Sequence, residues 1–140
     1  MKGTLSLFLL SLLITACAPK RIQSGAVIGP YTPAIKAGKT LYISGQIALK
    51  PGTNDLANQD FETETRQVLE NIVSLLKKAG YGTSDLVQCT IYLKDINDFA
   101  AMNRIYTGYF EQGRTPTRST IEISDLPRNA RIEISAVAYK

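Results

Sequence analysis

Two segments of the chain carry apolar residues at the three- and four-residue steps of an amphipathic helix. The first runs from Asp60 to Ala79, with Asp60 as the capping residue and Gly80 just beyond the last turn. The second begins at Asn97 and continues to about Phe110. Each segment therefore predicts a helix with one buried stripe.

Four other segments alternate apolar and polar residues, which is the period of a half-buried β-strand. They are Thr40–Ile47, Leu86–Leu93, Thr117–Ile123 and Ala130–Tyr139. A further short strand is expected near Ala34–Lys36 or Ile47–Leu49. The order of these elements predicts an α+β fold, in which two helices cover one face of a mixed sheet.

The other face of this sheet has no layer to cover it. By strand parity, the side chains on that face include Tyr42, Tyr92, Val137 and Tyr139. An uncovered face with aromatic and aliphatic side chains predicts that copies of the chain associate through their sheets. Cys89 has the opposite parity, so we expect a buried structural thiol there.

Parity also predicts where the charged residues of the last two strands point. Ile121 is assigned to the core side of its strand, so Arg118 and Thr120 are expected on the opposite face. Glu133 on the last strand is expected on that same face. Arg118 and Glu133 are therefore both predicted to point away from the helices, towards the proposed interface between copies.

Residues 1–16 have the pattern of an export signal. Lys2 precedes 12 uncharged residues from Leu5 to Ala16, a stretch too short to span a bilayer core. The four residues that end at Cys17 resemble the lipobox of bacterial lipoproteins, which implies a lipid on the Cys17 sulfur. The alternatives are an ordinary secretory signal with an incidental cysteine, an uncleaved N-terminal anchor, or a cytosolic chain.

This interpretation divides the chain into a signal peptide over 1–16, a lipidated tether over 17–24 and one domain over 25–140. It predicts an exported lipoprotein on the periplasmic face of the cell envelope. Ala18 after the cysteine favours the outer membrane if the host is Gram-negative.

Composition narrows the chemistry that is available. The 140 residues include no His and two Cys, which excludes Ser-His-Asp and Cys-His mechanisms and makes a zinc site improbable. Sixteen basic residues stand against 12 acidic ones, and they are scattered along the sequence. Scattered charge is typical of a solvated surface and argues against nucleic acid as a partner.

Several segments, in register along the chain, resemble the Rid family of YjgF-like enamine and imine deaminases, which also carry the name endoribonuclease L-PSP. These segments are Ile28–Tyr31, Ile43–Ile47, Arg66–Asn71, Lys94–Phe99 leading to Asn103, Pro116–Leu126 and Ile132–Ile134. The resemblance covers nearly the whole chain from residue 26 to 139.

This resemblance implies a chorismate-mutase-like fold, a homotrimer and three ligand clefts between subunits, with no cofactor or metal. Arg118 corresponds to the arginine that clamps a substrate carboxylate, and Glu133 to the glutamate that positions or activates water. The further substrate-binding positions are Tyr31, Ser44, Gly45, Asn103 and Thr120. Thr120 stands where the archetypal subgroup has a cysteine.

The leading hypothesis is therefore a hydrolase of the 2-iminobutanoate/2-iminopropanoate deaminase type, which converts 2-imino or enamine acids to 2-oxo acids and ammonia. The main alternative is a non-catalytic trimer that binds small carboxylates; a ribonuclease and an envelope holdase are weaker ones. At the residue level, Arg118 and Glu133 could instead form an interfacial salt bridge. Tyr31 and Ser44 could serve turn packing, and Asn103 could be exposed on its helix.

Overall fold

The computed structural model describes residues 18–23, 25 and 27–140, and its sheet and helices confirm the predicted α+β fold. The strands are β1 Lys20–Ile22, β2 Ala34–Ala37, β3 Thr40–Gln46, β4 Leu86–Leu93, β5 Thr117–Glu122 and β6 Ile132–Tyr139. The helices are α1 Phe61–Ala79 and α2 Phe99–Thr107. In the described part, the six strands form one sheet in the order β1-β2-β3-β6-β4-β5. Only β5 pairs in parallel, with β4.

Helix α1 forms where the apolar period predicts it. The Asp60 side chain accepts a hydrogen bond of 2.7 Å from the Thr63 N–H, which satisfies one of the free donors of the first turn. Gly80 ends the helix at φ 81°, a left-handed conformation that suits glycine. The stripe from Val68 to Leu76 packs on the sheet, so the core lies between α1 and the inner face of β3, β6 and β4.

Helix α2 is shorter than the predicted segment from Asn97 to Phe110. A 3₁₀ turn over Ile96–Asp98 precedes it, because the Ile96 N–H donates to Glu122 Oε2 at 2.8 Å and Asp95 accepts from the Asn97 N–H at 2.9 Å. The chain leaves the helix at Gly108. These local bonds fix the direction from which α2 approaches β5.

The first strand lies inside the segment 17–24, for which the sequence predicts a tether. Lys20–Ile22 pairs antiparallel with β2, and Ile22 is buried in the core, so the tether interpretation is corrected for these three residues. Of the two places proposed for a short strand, Ala34–Ala37 forms one. Around Ile47–Leu49 the structure has a single bridge, from Leu49 to Leu56.

A buried ion pair that the sequence does not predict joins α1 to the start of β6. Glu64 is fully buried and accepts two hydrogen bonds from Arg131, 2.6 Å from its backbone N–H and 2.7 Å from Nε. Arg131 Nη2 also donates to the Asn58 carbonyl at 3.1 Å. Among the described residues, neither helix is long and apolar enough to cross a membrane.

We expect Glu64→Ala to lower the free energy of unfolding by about 2 kcal/mol, because it removes two charge-assisted hydrogen bonds to Arg131, whose side chain is 35% exposed and remains solvated. The matched control is Glu62→Ala, in the same helical turn, whose carboxylate lies 3.7 Å from Arg104 at the surface. Its expected cost is at most about 0.5 kcal/mol. Urea unfolding of both variants measures the difference, and equal costs would contradict this role of Glu64.

Candidate functional site

The sheet register places Arg118 and Glu133 on opposite faces. Arg118 pairs with Cys89 on β4, whose side chain is buried under the helices. Glu133 pairs with Tyr92, on the face without helices. The prediction that both side chains point away from the helices is therefore wrong for Arg118. Ile121, for which the sequence predicts the core side, points outward and is 45% exposed.

Arg118 lies on the aromatic side of α2. Its guanidinium carbon is 4.9 Å from the centre of the Tyr106 ring and 5.6 Å from the centre of the Phe99 ring. These distances are typical of cation–π contacts. Its Nη1 is 4.0 Å from the Met102 sulfur. Within residues 27–140 Arg118 has no carboxylate partner, so its bidentate donor groups are available to an external anion.

Two buried hydroxyl groups, of Thr120 and Tyr106, lie on the same side of the sheet as this arginine. In the described part of the chain neither has an oxygen or nitrogen partner for a hydrogen bond; the Cys89 side chain is the group beside the Tyr106 hydroxyl. Burial raises the pKa of Tyr106, and the neighbouring Cys89 side chain adds to this. Burial also raises the pKa of Cys89, which keeps it a poor nucleophile. Asn103 is half-buried on α2, at helical spacing between Phe99 and Tyr106.

The predicted residues on the other face surround a cavity of about 250 Å³. Its walls include Ile28, Tyr31, Ser44, Gly45, Pro127 and Glu133. Glu133 is half-buried, and this burial raises the pKa of its carboxyl group. No described side chain forms an ion pair with it. A larger cavity of about 420 Å³ shares Tyr31 and Gly45 with this one and extends along α1.

Gly45 permits the approach of Glu133 to the end of β3. A Cβ atom at this position would overlap the Glu133 carboxylate, so any larger residue must displace it. The register of β3 shifts between Ile43 and Gln46, where Gln46 Nε2 donates to the carbonyls of Ser44 at 2.9 Å and Gly45 at 3.2 Å. The Ser44 hydroxyl donates to the Thr32 carbonyl at 2.7 Å, which is the turn-stabilising role left open above.

The seven predicted site residues thus form two groups. Tyr31, Ser44, Gly45 and Glu133 line the outer-face cavity, which we call the Glu133 half-site. Arg118 and Thr120 lie on the helix side of β5, and Asn103 lies on α2, the helix whose Phe99 and Tyr106 contact Arg118. We call these three residues the Arg118 half-site. The sequence does not predict that the Phe99 and Tyr106 rings contact the Arg118 guanidinium. Their helical spacing is equally typical of side chains that pack in the core.

Comparison with known proteins gives consistent matches. A family model described as Endoribonuclease L-PSP matches residues 21–140. A RutC family protein of Pyrococcus horikoshii is 50% identical over 113 residues, which is 81% of this chain and 89% of that protein. A 2-iminobutanoate/2-iminopropanoate deaminase of Mus musculus is 40% identical over 118 residues, 84% of this chain and 87% of that one. A crystal structure of a Rid family protein from Yersinia pestis superposes with a TM-score of 0.83 and 41% identity, covering 88% of this chain and 100% of that chain.

We expect the Glu133 carboxyl group to titrate above the usual glutamate pKa of about 4.3. Burial disfavours its charged form, so the folded state binds this proton more tightly than the unfolded state. The contribution of Glu133 to stability is then present below the ordinary pKa and is lost as the pH rises through the raised one. NMR titration of labelled carboxyl carbons, assigned with Glu133→Gln, measures this directly.

The same titration separates two roles of Glu133. An ion pair with Arg118 of another copy would lower the pKa of the carboxyl group, because a nearby cation favours the charged form. A value at or below the ordinary one would therefore contradict an unpaired Glu133 and support the interfacial salt bridge. Glu133→Gln serves as the control, since its stability should lack this part of the pH dependence.

Proposed function

The chain belongs to the Endoribonuclease L-PSP family, also called the Rid family, and from this membership we propose that it hydrolyses 2-imino or enamine acids to 2-oxo acids and ammonia. The observation that carries the proposal is the pair of unpartnered charges, Arg118 and Glu133, each at the side of an open half-site. The relative of Mus musculus that bears the deaminase name is 40% identical.

The proposed site is shared between copies of the chain. Arg118 and Glu133 lie on opposite faces of one sheet, so a small substrate cannot contact both within one copy. The outer face exposes large apolar side chains, with Tyr42 53%, Tyr139 55% and Ile121 45% exposed. In the proposed homotrimer this face is buried, and the β5 edge of one copy brings its Arg118 to the Glu133 half-site of the next.

Arg118 binds the substrate carboxylate in this mechanism. A planar guanidinium donates two parallel hydrogen bonds to a carboxylate, which fixes the orientation of the adjacent C2 carbon. The Phe99 and Tyr106 rings beneath Arg118 leave its in-plane donors free while limiting the directions in which it can point. Binding in one orientation lowers the entropic cost of the following step.

Glu133 acts as the base through one water molecule. It accepts a proton from the water, whose oxygen forms a bond to C2 of the protonated imine to give a carbinolamine. Glu133 then passes the proton to the nitrogen. The C2–N bond breaks while Glu133 accepts the proton of the C2 hydroxyl group, so a 2-oxo acid and ammonia leave, and Glu133 returns this last proton to the solvent. Burial raises the pKa of the Glu133 carboxyl group, which makes its carboxylate a stronger base for the proton of the water.

The second candidate function is a trimer that binds small carboxylates without turnover. The observation that favours it is Thr120, a hydroxyl where the archetypal subgroup has a thiol. This hydroxyl is buried and has no partner within the described residues. It can donate to a ligand carboxylate beside Arg118, which strengthens binding without assisting hydrolysis.

We expect Arg118→Ala and Glu133→Gln each to reduce the hydrolysis of iminopropanoate, generated in situ, by about 100-fold or more. Arg118→Ala removes the carboxylate clamp, and Glu133→Gln removes the base while keeping the shape of the half-site. Arg114→Ala is the matched control, because this exposed arginine pairs with Glu111 at 3.6 Å outside the site.

The outcomes of this assay distinguish the two candidates. Folded wild-type protein that does not accelerate imine loss would contradict the deaminase. If the same protein binds 2-oxobutanoate and Arg118→Ala abolishes the binding, the carboxylate-binding trimer is supported instead. Full activity of Glu133→Gln would exclude the proposed role of Glu133 alone.

We expect Ile121→Glu to convert the oligomer to monomers, because it places a charge in the centre of the proposed sheet-to-sheet contact. Ile96→Glu is the matched control: Ile96 is 46% exposed, like Ile121 at 45%, but it lies on the 3₁₀ turn before α2. Light scattering after size-exclusion chromatography measures the mass of each variant. An unchanged mass for Ile121→Glu would contradict a contact through this face.

We further propose that the protein is an exported lipoprotein that carries its lipid on Cys17. The support is the sequence of residues 1–17, which lie outside the described residues. Mass spectrometry of the mature N-terminus tests this, with Cys17→Ser as the control. An unmodified chain that begins at Met1 would contradict both the cleavage and the lipid.

A further inference from the structure

Six lysines that are scattered in the sequence meet at one end of the structure. The start of β1, the turn between β2 and β3, the end of α1 and the end of β6 all lie there. We call this end the basic pole; its lysines are Lys20, Lys36, Lys39, Lys77, Lys78 and Lys140. All except the half-buried Lys36 are exposed. Lys78 lies at the margin of the pole, since its Nζ donates to the Gln23 carbonyl at 3.4 Å just after β1 and the residue also lines the larger cavity.

Contacts around Tyr81 hold the basic pole together. The ammonium groups of Lys36 and Lys140 lie 5.0 Å and 5.5 Å from the centre of the Tyr81 ring. The Tyr81 hydroxyl donates to the Lys39 carbonyl at 3.1 Å. Lys140 Nζ also donates to the Gly80 carbonyl at 2.7 Å, which brings the end of β6 against the end of α1.

Little negative charge compensates these lysines. Among the described side chains, Asp85 is the one carboxylate that pairs with the basic pole, 3.8 Å from Lys140 Nζ. The opposite end of the sheet, where α1 and α2 begin, carries a cluster of acidic residues. They are Asp60, Glu62, Asp95, Asp98, Glu122 and Asp125. Three cations at this end, Lys94, Arg104 and Arg131, pair with carboxylates there, and the other acidic residues of the cluster have no such partner among the described side chains. The molecule therefore has a charge asymmetry along its strands that the overall composition does not reveal.

The residues that precede β1 indicate which partner the basic pole binds. Ala18 and Pro19 lead directly into β1 at the basic pole, so Cys17 is only three residues from Lys20. We propose that the basic pole lies on a bilayer surface that contains anionic lipids, as a second attachment beside the lipid on Cys17. Lysines are attracted to anionic headgroups, so a polybasic surface beside a lipid anchor orients the domain on the bilayer. The choice of a bilayer rests on the proposed lipidation.

This orientation directs the Glu133 half-site away from the lipid. Glu133 is six residues before Tyr139 on β6, which places it about 20 Å from the basic pole along the strand. The acidic end faces the solvent, because the anionic headgroups repel its carboxylates. A water-soluble imino acid then reaches the cleft without crossing the headgroup layer.

Lysine acetylation of the full chain on vesicles tests this orientation. The probe surfaces are phosphatidylcholine vesicles with and without phosphatidylglycerol, and mass spectrometry reads the reactivity of each lysine. On the anionic vesicles we expect Lys39, Lys77 and Lys78 to react at most about one fifth as fast as on phosphatidylcholine alone. Added salt should reverse this protection. Lys94, which pairs with Asp125 at the acidic end, should react equally on both surfaces.

Two variants of equal net charge sharpen the test. In the wild type we expect the same protection at Lys20 and Lys140, the exposed lysines that remain at the pole when the other three are changed. Lys39→Gln/Lys77→Gln/Lys78→Gln should abolish it. Arg66→Gln/Arg104→Gln/Arg114→Gln changes three exposed cations elsewhere and should preserve it. Loss of protection in both variants would indicate an effect of net charge and would overturn the proposal.

The remaining outcomes are also decisive. Equal reactivity of the pole lysines on both kinds of vesicle overturns the proposal, whether or not Cys17 carries a lipid. Equal protection by a soluble polyanion such as heparin assigns the surface to such partners and overturns the bilayer. Mass spectrometry of the N-terminus in the same preparation reports lipidation separately, so a failure of the basic pole and a failure of the anchor are distinguishable.

Discussion

The pairing of β4 with its two neighbours determines what one copy of this protein can do. Cys89 on β4 pairs with Arg118 on β5, and Tyr92, three residues further along β4, pairs with Glu133 on β6. An odd separation along a strand puts the two partners on opposite faces. The guanidinium and the carboxylate are thereby kept apart within the chain. Each remains without a charged partner in the described structure, and neither can neutralise the other.

The surroundings of each group maintain this separation. The Phe99 and Tyr106 rings make cation–π contacts with the guanidinium of Arg118. These contacts leave its N–H groups free to donate hydrogen bonds. On the other face, the missing side chain of Gly45 leaves the space that the Glu133 carboxylate occupies. The proposed chemistry needs both groups at one ligand, and the uncovered sheet face provides the surface on which a second copy can supply the missing half.

Capping residues and the periodicity of apolar residues make much of this fold predictable from the sequence. The Asp60 cap, the apolar stripe and Gly80 define α1, and the alternation in Leu86–Leu93 defines β4. The predicted side-chain directions are wrong for β5, where the apolar character of Ile121 predicts that it faces the core. On an edge strand an apolar residue can instead face a neighbouring copy, so polarity alone does not determine the direction. The sequence also does not predict the basic pole, because its lysines come together only when the strands and α1 are packed.

The central claim is that each site takes Arg118 from one copy and Glu133 from another. Mixed oligomers of Arg118→Ala and Glu133→Gln chains, assembled from equal amounts, test it most directly. If the two residues come from different copies, random mixing restores an intact site at about one quarter of positions, and imine hydrolysis returns to about one quarter of the wild-type rate. If both residues of a site came from one copy, no mixture would contain an intact site. Activity no higher than that of either variant alone would then contradict the account.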